Sequence, residues 1–179
     1  PKCRIVEVDE MGKTPYWKPG IAAQIFNNRE QIFRWLPMKP WLKLVADTAY
    51  MYGNSQALHI RGGDKRIASV KSYKHLLSLT NGGPIVYTDD SAFAIEIAPL
   101  KKYAHSQNDA ITDWQSIFLS SKIFAAPSSF VMCMLLFNPL LNITFLGDKY
   151  CDGGFDIAGD MLFLREALEF CPNVEIIDV

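Results

Sequence analysis

Apolar positions change their spacing several times along the chain, and each change marks an element. Between Ala22 and Leu36, the residues Ile25, Ile32, Phe33 and Leu36 fall on one helical face with Arg29 and Glu30 opposite. Pro37 ends the run, so the spacing predicts a helix. The stretch from Pro40 repeats the pattern with proline at a tolerated helix start and predicts a second helix. QALHI (Gln56 to Ile60) is short and apolar and predicts a buried strand, whereas SVKSYKHLLSL (Ser69 to Leu79) returns to helical spacing. A break at Asn81 to Pro84 follows, then IVYT (Ile85 to Thr88) predicts another strand.

Further along, Ser91 is placed to cap a helix over 92–100, Asp113 one over 114–122, and Ser128 or Ser129 one over 130–137. IFAA (Ile123 to Ala126), NITFL (Asn142 to Leu146) and VEIIDV (Val174 to Val179) predict strands. DMLFLREALEF (Asp160 to Phe170) predicts the most regular helix, and Gly147 to Asp156 the clearest long loop. Short buried strands alternating with helices predict an α/β fold, a Rossmann-like parallel sheet with helices on both faces. Residues 1–52 read as a helical lead-in and 53–179 as the α/β domain.

Composition narrows this picture. A chain of 179 residues that is 49% hydrophobic and 21% charged has enough apolar mass for one substantial core. Eighteen basic against nineteen acidic residues leave a formal charge of −1, so no overall field favours nucleic acid, and an anionic ligand has to be met locally. No apolar run approaches the roughly 20 residues that span a bilayer. No signal-peptide pattern opens the chain, and the start at Pro1 suggests a processed product or part of a longer protein.

The cysteines Cys3, Cys133, Cys151 and Cys171 lie far apart, with no histidine at ligand spacing, which disfavours zinc. Cys133 reads as a small buried apolar residue, and pairing of Cys151 with Cys171 stays open. Asn142 to Thr144 is formally a glycosylation acceptor, but its apolar strand context predicts a buried, unmodified asparagine.

In parallel sheets, ligands bind beyond the carboxyl ends of the strands, and the unusual polar groups of this chain gather there. The first strand delivers His59, Arg61, Gly62, Gly63, Asp64 and Lys65; the next delivers Asp89 and Asp90; IFAA delivers Pro127, Ser128 and Ser129. A guanidinium offers a planar fork to phosphate oxygens, glycines let backbone amides approach, and a helix starting at Ser128 adds hydroxyls and a positive dipole end. The plainer alternatives are an Arg61–Asp64 ion pair within the turn, a core histidine at position 59, and ordinary caps at Asp89, Asp90, Ser128 and Ser129. The P-loop and GxGxxG fingerprints are absent.

HIRGGDK (His59 to Lys65) resembles the His-(Ile/Val)-Arg-x-(Gly/Thr)-Asp-(Lys/Tyr) motif of the α1,2- and α1,6-fucosyltransferases, which include the core α1,6 enzymes and bacterial nodulation relatives. VYTDD (Val86 to Asp90) is similar to their second motif, and Ile111 to Phe130 to their third, in the same order and at similar separations. The resemblance covers roughly Ser55 to Phe137. It implies the donor-binding, carboxyl-terminal half of a GT-B glycosyltransferase, with GDP-fucose as donor and no metal or other cofactor. The glycan acceptor would meet a half outside this chain, in the cytoplasm of a bacterial cell or the secretory lumen of a eukaryotic one.

By that resemblance Arg61 grips the β-phosphate and is the catalytic charge contact, His59 and Asp113 contact guanine, and Ser128 and Ser129 bind the diphosphate. Asp64 and Lys65 hold the loop, Asp89 and Asp90 support it, and Tyr73 falls near a family tyrosine. Fucose transfer would proceed with inversion. The chain departs from the family at Gly62, where many members carry a second arginine, and over Arg66 to Leu77, which has no carboxylate. A general base has to reach the acceptor hydroxyl, which leaves Asp64 or a residue outside this chain. Two other readings are a non-catalytic binding or assembly domain, and a transferase of a different nucleotide sugar.

Overall fold

The computed structural model describes residues 19–35, 55–63, 66–151 and 154–177. Five strands, β1 (Gln56–Ile60), β2 (Ile85–Thr88), β3 (Lys122–Ala125), β4 (Ile143–Leu146) and β5 (Val174–Ile177), form one all-parallel sheet in the order β2-β1-β3-β4-β5. Every residue of β4 is buried, as are four successive residues of β1, the signature of strands covered on both faces. Leu58, Ile60, Phe124 and Phe145 form the centre of the core.

Seven α-helices lie among the described residues: α1 (Ile21–Asn27), α2 (Arg29–Trp35), α3 (Val70–Ser78), α4 (Ser91–Ile97), α5 (Ala110–Phe118), α6 (Ser129–Phe137) and α7 (Gly154–Ala167). Strand, helix and parallel strand alternate from β1 to β5, which is a Rossmann-like α/β arrangement. The predicted helix from Pro40 lies outside the described residues.

The register decides which side chains share a face. His59 pairs with Tyr87 on one side and Ala125 on the other, so these three stand together on one face of the sheet. Helices α5 and α6 cover that face: the His59 ring stacks on Phe130 of α6, and the Tyr87 phenol lies beside Asp113 and Ser116 of α5. The chain passes from β1 to β2 on one side and then returns to β3 on the other. This reversal makes the β1/β3 edge the topological switch point of the sheet.

The edge of β2 is closed by residues 104–106. The Val86 amide donates to the Ala104 carbonyl and the Ser106 amide to the Val86 carbonyl, each at 2.8 Å. An edge strand so occupied offers fewer unpaired groups to another chain. Before β2, Gly82 turns the chain at φ +102°, a conformation that L side chains rarely adopt.

Several local expectations are corrected. The helix predicted across Ala22 to Leu36 is interrupted at Asn28, whose side chain donates back to the Gln24 carbonyl. Arg29, assigned from spacing to the solvent face, instead donates to the Leu136 and Phe137 carbonyls at the end of α6. The cap of α4 is Asp90 rather than Ser91, and the cap of α5 is Asp109 rather than Asp113, because these carboxylates accept the first-turn amides. The expected loop from Gly147 to Asp156 contains a 3-10 turn (Asp148–Tyr150) and the first residues of α7. Asn142 is exposed rather than buried, because β4 starts only at Ile143; Thr144 is the buried member of that triplet. Cys133 is half-buried rather than buried, and Cys171 is a free thiol, so the Cys151–Cys171 pairing is not formed.

Helix α1 belongs to the core of this domain. Glu166 of α7 accepts from the Gly20 and Ala22 amides, supplying from another element the cap that α1 lacks locally. Phe26 stacks on Phe170 with centroids 5.2 Å apart and lies 6.3 Å from Phe163. Truncation by Phe26→Ala should open a cavity there and lower the unfolding free energy by about 3–5 kcal/mol, measured by urea titration. An unchanged midpoint would show that α1 adds nothing to the core.

Candidate functional site

The loop after β1 is held from two sides. Beneath it, the buried Tyr73 hydroxyl of α3 accepts from the Arg61 amide at 3.0 Å and donates to the Arg61 carbonyl at 3.4 Å. Burial pushes the Tyr73 phenol well above its ordinary pKa, so it stays protonated and able to donate. Beside it, Asp89 Oδ1 accepts from the Gly62 amide at 2.8 Å and the Gly63 amide at 3.2 Å, while Oδ2 pairs with Arg61 Nη1. The glycine amides assigned by sequence to a phosphate are therefore engaged by a carboxylate. Arg61 pairs with Asp89, and its supposed turn partner Asp64 lies, like Lys65, outside the described residues. The Arg61 side chain keeps 30% of its surface exposed, enough to meet a ligand at the sheet edge.

Gly62 has a steric reason. A Cβ built there would lie 2.7 Å from Phe93 Cδ1 and 2.8 Å from Asp90 Cβ. Hence the second arginine of many fucosyltransferases has no room at this position unless α4 moves. The two aspartates do different work: Asp89 holds the loop and Arg61, whereas Asp90 accepts from the Phe93 amide at 3.0 Å and caps α4. Thr88 Oγ1 fixes the turn between them by accepting from the Asp90 amide and donating to its carbonyl.

Across the switch point, α6 begins at the end of β3. Ser69, Asp90 and Asp109 each bond amides of their own helices, but Ser128, in the N-cap position of α6, does not. Its Oγ is buried without a hydrogen-bond partner, and Ser129 next to it is exposed. His59 is similar: 6% exposed, stacked on Phe130 with centroids 5.1 Å apart, its Nδ1 buried with no partner. Burial lowers the imidazole pKa to about 4, and the nearby charges of Asp89 and Arg61 act on it in opposite directions. His59 is thus neutral at physiological pH.

Asp113 lies in the first turn of α5, beside Tyr87, the register neighbour of His59. It is buried, and the Ser106 hydroxyl donates to its Oδ1. Burial pushes its carboxyl up from the ordinary range, while hydrogen bonds from Ser106 and Asn108 hold it back. The strap along β2 thereby delivers a hydroxyl to a site carboxylate.

Structure brings His59, Arg61 and Ser128 to adjacent strand ends, with Asp113 reaching the same face from α5. Phe130, Trp114 and Ser106 were missed by sequence reasoning, since aromatic residues at helical spacing read as core and a serine in a connection has no signature. A guanidinium, a helix amino end, a buried hydroxyl and a neutral imidazole can together hold an anionic group with an attached polar ring. No group of three or more His, Cys, Asp or Glu side chains among the described residues is placed to hold a metal ion. No helix among them is long and apolar enough to cross a membrane. Comparison with protein-family models, with curated proteins and with solved structures finds no match.

Two outcomes follow. Gly62→Ala should destabilise the fold by about 1–3 kcal/mol through overpacking against Asp90 and Phe93, read from the urea midpoint; a neutral effect would contradict the close packing. For His59 the folded-state pKa of about 4 lies below the ordinary 6.5, so the unfolded chain binds the proton first. Its contribution to stability is lost as pH falls from 6.5 toward 4, at up to about 1.4 kcal/mol per pH unit. His59→Phe should lack this component when urea titrations at several pH values are compared.

Proposed function

We propose that this chain is the donor-binding domain of an inverting, fucosyltransferase-like glycosyltransferase that takes fucose from GDP-fucose. The observation that carries the reading is the pair of buried, unpartnered polar atoms, His59 Nδ1 and Ser128 Oγ, at the β1/β3 switch point beside Arg61 and the open amino end of α6. Each buried group without a partner costs roughly 1–3 kcal/mol, a cost that a ligand's own donors and acceptors offset. The three motifs that resemble the fucosyltransferases contribute these same residues.

In this reading the diphosphate lies against Arg61 and the first amides of α6, with Ser128 and Ser129 adding hydroxyl donors. Charge accumulates on the departing diphosphate as the anomeric carbon is attacked, and fixed donors there act most strongly when that charge is greatest. His59 and Asp113 face the base. The glycan acceptor is held by a second α/β half, as in the enzymes this chain resembles. Asp89 is engaged by Arg61 and two amides, Asp90 by α4, and Asp113 by Ser106, so none of them is placed as the general base. That role falls to Asp64 or to a residue supplied by the acceptor half.

Isothermal titration with GDP, other nucleoside diphosphates and inorganic pyrophosphate tests the reading. GDP should bind best, and Arg61→Ala should weaken it by roughly 10- to 100-fold, the equivalent of one charged hydrogen-bonding contact. A folded chain that ignores GDP would overturn the proposal. A second reading, a non-catalytic binding domain, is favoured by the Asp89 carboxylate that already balances Arg61 and by the absence of a carboxylate over Arg66 to Leu77. Full function of the Arg61→Ala protein in its complete form would select it.

A further inference from the structure

The structure assigns a positioning role to Phe130 and Trp114: they join His59 and Asp113, carried on different elements, into one unit on which nucleobase discrimination depends. The inference rests on the nucleotide reading above and adds to it two residues of the third motif that had been given no role.

The first link is the imidazole itself. No hydrogen bond at Nδ1 sets the orientation of the His59 ring. It is set by a near-parallel stack on Phe130, with an interplanar angle of 18°. A buried ring packed in this way cannot turn about its own bond without displacing its neighbour, so Phe130 decides which edge of His59 faces the crevice.

The second link runs through the backbone of α6. The Phe130 carbonyl accepts from Trp114 Nε1 at 3.1 Å. Trp114 follows Asp113 in α5 and is itself fixed by Phe118, stacked at 5.2 Å, and by Phe137, met edge-on at 5.6 Å. Contacts therefore pass from Trp114 through Phe130 to His59, and Asp113 joins them as the residue preceding Trp114 in α5. Arg61, by contrast, is held by Asp89 and Tyr73, outside this chain of contacts. The base side of the site and its guanidinium are thus positioned by different contacts.

Separate positioning has a distinct signature. Phe130→Leu and Trp114→Phe should reduce the preference for GDP over ADP and UDP by about two- to tenfold, a loss of base discrimination that altered diphosphate contacts, common to all three nucleotides, would not produce. Imidazole NMR should show His59 titrating above its wild-type value of about 4 in Phe130→Leu, because the ring gains access to water. Phe130→Tyr keeps the ring and should restore both properties, which separates positioning from general damage.

Equal losses for GDP, ADP and UDP would reduce the two aromatics to structural parts and overturn the inference. Undiminished base preference in the folded variants would do the same. A wild-type chain that binds no GDP would instead overturn the nucleotide reading, with the His59 titration still reporting whether Phe130 controls the ring.

Discussion

The Asp89 carboxylate is the contact on which the candidate site depends. One oxygen takes the amides of Gly62 and Gly63, and the other pairs with Arg61, so a single side chain sets both the path of the loop and the position of its cation. Asp89 follows β2, the edge strand, and its reach to the loop after β1 follows from the parallel pairing of those strands. The 104–106 strap in turn holds β2 in place. Loop, cation and strand edge are thus one mechanical unit, with Tyr73 supporting it from below.

At the switch point itself the same economy is missing. His59 Nδ1 and Ser128 Oγ are buried and unpartnered, although most buried polar atoms in folded proteins find a partner. Ser128 opens a helix that is anchored at its far end. Arg29 grips the last carbonyls of α6, and Glu166 caps α1, so the far end of α6 is stabilised by a tertiary cation while its amino end stays open. That asymmetry aligns the helix dipole with a seat for negative charge.

The elements themselves were largely legible. QALHI and IVYT become β1 and β2 with the predicted bounds, because short apolar runs between turn signals admit few other structures. Caps were harder. Asp109 and Asp113 are both good capping residues four positions apart, and local rules do not say which of them meets the first-turn amides. Arg29 was misplaced for a related reason: helical spacing shows which face is apolar, not whether a distant helix ends against the polar one.

Chain order and residue chemistry alone were enough to determine that this protein is a parallel α/β fold whose unusual polar residues collect at the carboxyl ends of its strands. Hydrophobic periodicity and turn chemistry are local, and they survive without knowledge of neighbours. Only the tertiary structure decided what each of those residues does. It gave the glycine amides to Asp89, denied position 62 a side chain, removed Asp113 from its cap and stacked His59 on Phe130. Those outcomes turn on contacts between elements far apart in sequence, where burial and close approach rather than propensity select the partner.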